Sequence, residues 1–436
     1  MDHRRARKKN AWAALAVALT LVATGASAEP GKADPLRERA TRARLLKEAL
    51  EKSPAARAAA HREKAAKLRA KAASSLPDPE LMLEVWQVPV TRPYAVNDAG
   101  MIMVGVKQAI PAPGSLSLKE SATEAEARVA RAERSDATRR LAREVGHAFA
   151  DYLAASSEHH IHEHHIEVAE RVLRAARARY AGGGMLTDVS QAEVELSRSR
   201  ADAAGEMSRL RSLRRRLNAL SSRPVEAPLG PPNDEGLVTV ALSAEEITSR
   251  ALARRPDLEM AQAKRAAAEA EARVVDREAS APSFSVGGLY FPPTRGMTEH
   301  GYGASLSMSL PWVWGGPRGR KTAQRETIRA SQADADQARL DIRAEVAMNL
   351  SAVESALDRL KVLKRETLPA SRRNLEFAVT GYESGGTSLI TLLTARRDVV
   401  DVELEIVMAR ATLDHALTEL DFAAGTELPR KSVKLD

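Results

Sequence analysis

The chain has no cysteine, which excludes disulfides, thiolate metal sites and cysteine nucleophiles. Aromatic residues are only 3% of its 436 residues. Ala, Arg, Glu and Leu dominate instead, a composition that favours long helices over compact β or α/β cores. Past the N-terminal segment there is no run of about 18 or more apolar residues, so no spanning helix is expected. That leaves open a transmembrane barrel, whose strands are short and weakly marked. Proline is missing from Ser115 to Tyr180 and, apart from Pro369, from Gly319 to Tyr382. Neither a Ser-His-Asp arrangement nor a paired-carboxylate motif stands out, so no enzyme class and no cofactor is indicated. The stretch GGPRGRKT, Gly315–Thr322, has Arg320 between its last Gly and its Lys. A phosphate-binding loop needs Lys directly after that Gly, so the stretch is read as a strand-to-helix turn.

The first residues form an address. Arg4, Arg5, Arg7, Lys8 and Lys9 precede an apolar run from Ala11 to Ala23, and Ala26-Ser27-Ala28 follows. This pattern is a secretory signal peptide over residues 1–28, with an apolar core too short to span a membrane. Its loss removes five positive charges and Asp2 from a net charge of +8. The remaining chain is then near +4, and nothing points to nucleic acid.

What remains is written twice. YAGGGMLTDVSQAEVELSRSRADA, from Tyr180, and YESGGTSLITLLTARRDVVDVELE, from Tyr382, share a tyrosine, two residues, paired glycines, an apolar or hydroxyl turn and a charged helical run. Other landmarks repeat at an offset of roughly 200 residues, the mark of an internal duplication. A proline opens a helix near Ser53 and again at Arg255, the favoured first-turn position. Pro79 and Pro282 close these helices and extended segments follow. MIMVGVKQAIPAPG, from Met101, answers to GASLSMSLPWVWGGPRG, from Gly303. A Pro- and Gly-rich linker, SSRPVEAPLGPPNDEG, joins the halves. The expected units are a first repeat over residues 29–230, with strands about 80–110 and a turn at 181–187, and a second over 231–436, with strands about 283–313 and a turn at 383–389. The proline-free stretches would make rods of ~95 Å at 1.5 Å per residue.

The strands decide the class. Ala304, Leu306, Met308 and Leu310 alternate with Gly303, Ser305, Ser307 and Ser309, the period-2 pattern of a half-buried strand. Phe284 and Val286 alternate with Ser283 and Ser285 in the same way, and Ile102, Val104 and Val106 alternate with Met103, Gly105 and Lys107 less cleanly. Trp86, Tyr94, Tyr290, Phe291, Tyr302, Trp312 and Trp314 gather near these strands, as an interfacial girdle would. Four strands cannot close a membrane barrel, and an open edge in lipid leaves backbone groups unsatisfied. Membrane strands here would therefore require several copies to share one barrel, a dimer and a trimer being equally open on spacing alone. The competing reading is a soluble sheet capping a periplasmic helical scaffold.

RPDL at Arg255–Leu258, PDPEL at Pro77–Leu81, IPAPG, LPWVWGG and GGGMLTDVSQAEVEL, in this order and duplicated, resemble the TolC-like outer-membrane efflux proteins, including their heavy-metal branch. The resemblance implies a mainly α fold with a small β part. Duplicated helical hairpins would form a periplasmic α-barrel, and four strands per chain would join a twelve-stranded transmembrane barrel in a homotrimer. It implies a passive exit duct for metal ions or small toxic compounds, working with a periplasmic adaptor and an inner-membrane pump in a Gram-negative outer membrane. A type I secretion channel is the alternative. By the same resemblance, Gly183, Gly184, Met185, Leu186 and Thr187, with Gly385, Gly386, Thr387, Ser388 and Leu389, are the adaptor-docking tips. Asp188 falls near the tunnel constriction, with Thr391 and Thr394 where some relatives carry acids. A plain helix-N-terminal charge is the other reading of Asp188. The chain lacks the Cys that some members lipidate.

One motif stands outside this frame. HHIHEHHIE, His159–Glu167, holds five of the ten histidines. His160 and His164 stand at i, i+4, and His159 and His162 at i, i+3, so each pair shares a helix face as a metal would need. Glu158 or Glu163 would have to complete such a site. The histidines point several ways round the helix, which favours a solvated patch, and no metal site is assigned.

Overall fold

The computed structural model describes residues 34–94, 99–295 and 298–434. The leader expected over residues 1–28 lies outside them. The first half runs α1 (Pro35–Glu38), α2 (Arg42–Lys52), α3 (Pro54–Ala73), β1 (Glu80–Trp86), β2 (Met101–Ile110), α4 (Ser115–Ala181) and α5 (Leu186–Leu220). The second runs β3 (Val238–Val240), α6 (Ala244–Arg254), α7 (Pro256–Ser280), β4 (Phe284–Phe291), β5 (Gly301–Met308), α8 (Gly316–Val362), a π-turn (Leu363–Thr367), α9 (Leu368–Glu383), α10 (Leu389–Ala424) and β6 (Arg430–Ser432).

Prolines place the helix starts. Pro54 and Pro256 occupy first-turn positions of α3 and α7, where a missing N–H costs nothing. Ser243 and Glu246 form a reciprocal capping box on α6. Helix α4 is continuous for 67 residues, about 100 Å at 1.5 Å per residue. The equivalent rod in the second half is not continuous. Pro369 has no N–H to give the preceding turn, and the helix widens into the π-turn just before it, which accommodates the lost bond.

The packing is alanine-rich. Ala122 and Ala125 of α4 meet Ala270 and Val274 of α7, and small side chains let such rods lie close. Larger residues gather mid-rod in two cores. Leu36, Leu45, Tyr152 and Leu217 belong to one, and Ile247, Ile342, Leu360 and Leu413 to the other. The Pro-rich linker is pinned rather than loose. Tyr152 Oη donates to Gly230 O at 2.8 Å, Gly230 N donates to Leu36 O at 2.9 Å, and Pro232 bridges Ala40. The sequence reading did not anticipate the small β3–β6 sheet beside it.

The four longer strands form one antiparallel sheet in the order β1-β2-β4-β5. Register pairs Leu83 with Val104, Val104 with Tyr290, and Val286 with Leu306. Because antiparallel partners point to the same side, Leu81, Leu83, Val85, Ile102, Val104, Val106, Ile110, Phe284, Val286, Leu306 and Met308 share one face. The opposite face is mixed, carrying Glu80, Glu84, Lys107, Gly287, Ser305 and Ser307 beside Met82, Met103, Leu289 and Phe291, and Ser285 and Ser307 hydrogen-bond across it at 2.9 Å. The expected alternation in β5 thus holds through Met308. Leu310 lies past the strand's end, where Pro311 leads into the turn before α8. Trp86, Tyr94 and Tyr302 are exposed near the hairpin ends of the strands, and Trp312 and Trp314 at the helical end. No helix among the described residues is long and apolar enough to cross a membrane.

Candidate functional site

The chain reverses twice between long helices, and glycine makes each reversal possible. Gly183 has φ +100° and Gly385 φ +81°, the left-handed region that a side chain disfavours. Gly184 N donates to Arg179 O at 2.9 Å, and Gly386 N and Thr387 N both donate to Gly381 O, at 2.7 and 3.0 Å. These bonds satisfy carbonyls that the ending helices leave open. At the second tip Ser388 caps α10, its hydroxyl accepting from Thr391 N at 3.2 Å.

The two tips are clasped to each other. Tyr382, 2% exposed, donates its phenol to Asp188 Oδ2 at 3.2 Å. The Arg179 guanidinium lies 4.7 Å above the Tyr382 ring, and its Nη1 donates to Tyr382 O at 3.2 Å. Burial, reinforced by the Asp188 carboxylate, holds the Tyr382 phenol above its ordinary pKa, so it stays a donor. Beneath lie Ala176, Ala192, Leu196, Leu389, Leu392 and Leu393.

Of the residues expected at the tips, Met185, Leu186 and Thr187 are exposed, as are Gly385, Gly386 and Ser388. Leu389 is not: at 1% exposed it is a core residue. Its helix turns that face onto the first hairpin, and Ile390, 61% exposed, takes the outward position. Turn strain belongs to Gly385 rather than Gly386, where an added Cβ would meet only ordinary contacts. Asp188 joins Tyr382 and Arg179, whereas Thr391 and Thr394 make only local bonds, Thr394 Oγ1 donating to Ile390 O at 2.9 Å.

About two helical turns further from the tips, a buried charged node locks the hairpins together, and sequence reasoning missed it. Arg396, 2% exposed, donates to Glu195 Oε1 at 2.8 Å, to His165 O at 2.7 Å and to Ser199 Oγ at 3.1 Å. Arg397 reaches the other Glu195 oxygen at 2.5 Å. Burial pushes the Glu195 pKa up, but the two arginines outweigh it and hold the carboxyl below its usual range. The only sequence signal was adjacent arginines on an otherwise apolar α10 stretch.

The histidine run is dispersed by this arrangement. His165 is buried with Nε2 2.9 Å from Glu403, a bond that, with Arg372, keeps the Glu403 carboxyl below its usual range. His159 and His160 both approach Glu163, at 3.3 and 3.5 Å, and His164 faces solvent. Among the described residues no group of three or more His, Cys, Asp or Glu is placed to hold a metal ion.

A duplicated helical hairpin joined to a half-apolar four-stranded sheet is a specific combination, and comparison with known proteins agrees with it. The family model for outer membrane efflux proteins matches residues 45–222 and again 247–426. The chain belongs to that family. It is an outer-membrane efflux channel, with its long helices on the periplasmic side, and it serves as the exit duct of a tripartite efflux system. No curated protein sequence matches it. Among solved structures it is similar to the outer membrane protein VceC of Vibrio cholerae (17% identity, TM-score 0.70, 88% of this chain and 96% of that one). It is also similar to the CmeC outer membrane channel of Campylobacter jejuni (14%, 0.72, 89% and 86%) and to CusC (16%, 0.73, 88% and 92%). At these identities the likeness is one of fold.

Proposed function

We propose that this efflux protein works as a homotrimer whose three sheets close into a twelve-stranded barrel, and that its six tips dock a periplasmic adaptor. The observation that carries the reading is the sheet itself. One chain offers a largely apolar face, interrupted by Gln108 opposite Val286, and two edge strands, β1 and β5, and neither edge is tolerable in lipid without a partner. Three copies supply twelve strands, an even number within the range of known barrels. The two structural repeats, residues 29–230 and 231–436, then give six pseudo-equivalent tips round the periplasmic end. Small metal ions or toxic compounds are the proposed cargo, moved passively while the inner-membrane pump supplies the energy. Native mass spectrometry of the full chain in detergent should give the mass of three chains. A monodisperse monomer with its strands intact would refute the shared barrel.

A further inference from the structure

About midway between the sheet and the tips, α4 and α10 come close enough that a Cβ on Gly146 would meet Thr418 at 2.7 Å. Beside this contact His147 of α4 faces His415 of α10, Nδ1 to Nδ1, at 2.6 Å, with ring centroids 4.6 Å apart. The outer nitrogens are both engaged by carboxylates. His147 Nε2 lies 2.6 Å from Glu419 Oε1, and His415 Nε2 lies 2.9 Å from Asp151 Oδ1. A carboxylate only accepts, so both Nε2 atoms carry protons. Each ring then presents its Nδ1 inward, and the two nitrogens converge on one point. At 2.6 Å they are within hydrogen-bonding distance, so in the metal-free chain one hydrogen lies between them.

We infer that the His147–His415 pair is a cation seat in which a borderline divalent metal ion of the zinc class replaces the shared proton. The arrangement has the form of a metal-binding histidine, whose far N–H is nearly always donated to a carboxylate, a backbone carbonyl or water that fixes the tautomer and raises ligand basicity. Imidazole nitrogen suits zinc, nickel and copper. Zn–N bonds of about 2.0–2.1 Å in tetrahedral geometry place two nitrogens about 3.3 Å apart, so the rings need to part by about 0.7 Å. Both rings are partly exposed, at 22% and 33%, which leaves room for that movement and for water to complete the coordination. The exchange balances: two dative N–Zn bonds form, one proton leaves to solvent, and nothing is oxidised.

The surrounding charges accommodate it. Glu419 and Asp151 face the rings directly. Arg143 lies 3.6 Å from Glu419, and Arg216 of α5 lies 3.7 Å from Asp151. Asp414, next to His415, is paired with Arg410 at 3.0 Å. The carboxylates thus keep arginine partners on their outer sides while their inner oxygens stay on the histidines. Because α4 belongs to the first half and α10 to the second, the ion would tie the two halves of one chain together.

The test is calorimetric titration of the full-length trimer with Zn2+ in two buffers of different ionisation enthalpy. Competing histidines outside the rods' contact are first removed by His61→Gln, His160→Gln, His162→Gln, His164→Gln and His300→Gln. One Zn2+ per chain should bind, releasing about one proton, and His147→Gln or His415→Gln should abolish it. Should either variant fail to assemble, Glu419→Gln keeps both ligands and should weaken binding by about 10–100-fold. Binding that releases no proton, or that survives all three substitutions, would overturn the assignment and leave the pair a hydrogen-bonded clasp. Because binding is read in solution, its failure is separate from any failure of the export role.

Discussion

At the second tip Leu389 shares a core with Tyr382, Leu392 and Leu393, while Ile390 beside it stands in solvent. Substitutions at the two positions should therefore separate stability from docking. Leu389→Ala should cost about 2–5 kcal/mol, as truncation of a buried leucine does, and limited proteolysis should find the tip cut sooner. Ile390→Glu should leave that protease resistance unchanged and abolish export in cells. Gly385→Val should cost about 1–2 kcal/mol through its left-handed backbone, and Gly386→Ala should be silent by the same proteolysis. The glycines were legible in the sequence because a reversal between long helices needs one residue at positive φ. Burial of Leu389 was not, because half of the core it joins, Ala176, Ala192 and Leu196 among it, comes from the other hairpin, roughly 200 residues away.

Each hairpin and each strand pair has its own constraint. In the sheet, Leu306→Lys places a charge on the face read as lipid-exposed and should cost up to about 2–4 kcal/mol, least near the interface. Ser305→Lys, on the opposite face, should be milder. Equal insertion of both variants, measured by outer-membrane fractionation, would show the faces to be reversed. The alternation that motivates this was plain in β5, because Gly and Ser occupy every second position, and weaker in β2. The node joining the hairpins is the reverse case. Glu195 and Arg396 are 201 positions apart; Glu195 looks ordinary within its charged helix, and the Arg396-Arg397 pair on an apolar stretch does not name its partner. Glu195→Gln should cost about 3–5 kcal/mol, because it leaves Arg396 buried without a counter-charge. Thermal unfolding followed by helical circular dichroism should show the loss, and a midpoint unchanged from the parent would mean that the node contributes no stability. The π-turn was only half legible: Pro369 marked an irregularity, but a widened turn and a break look alike in one sequence.

At the scale of the proposed assembly, the same chain would meet three environments: lipid around the sheet, water along the rods and protein at the tips. Solvent alone gives no reason for Met185, Leu186 and Ile390 to stand 72%, 60% and 61% exposed at two hairpin ends. Apolar groups gathered at one end of a molecule are a mark of partner contact. Each tip offers a small surface, so a single contact should be weak. Six copies engaging one adaptor ring would act as a multivalent site, with avidity well above that of any one tip. That geometry makes a graded prediction. Trimers assembled from mixtures of parent and Ile390→Glu chains should lose export more steeply than in proportion to the variant fraction. Photocrosslinkers at Met185 and Ile390 should capture the adaptor in cells, whereas one at Leu389 should capture only the protein's own first hairpin. Capture of adaptor from Leu389, or from none of the three in an active trimer, would place the docking surface elsewhere on the rods.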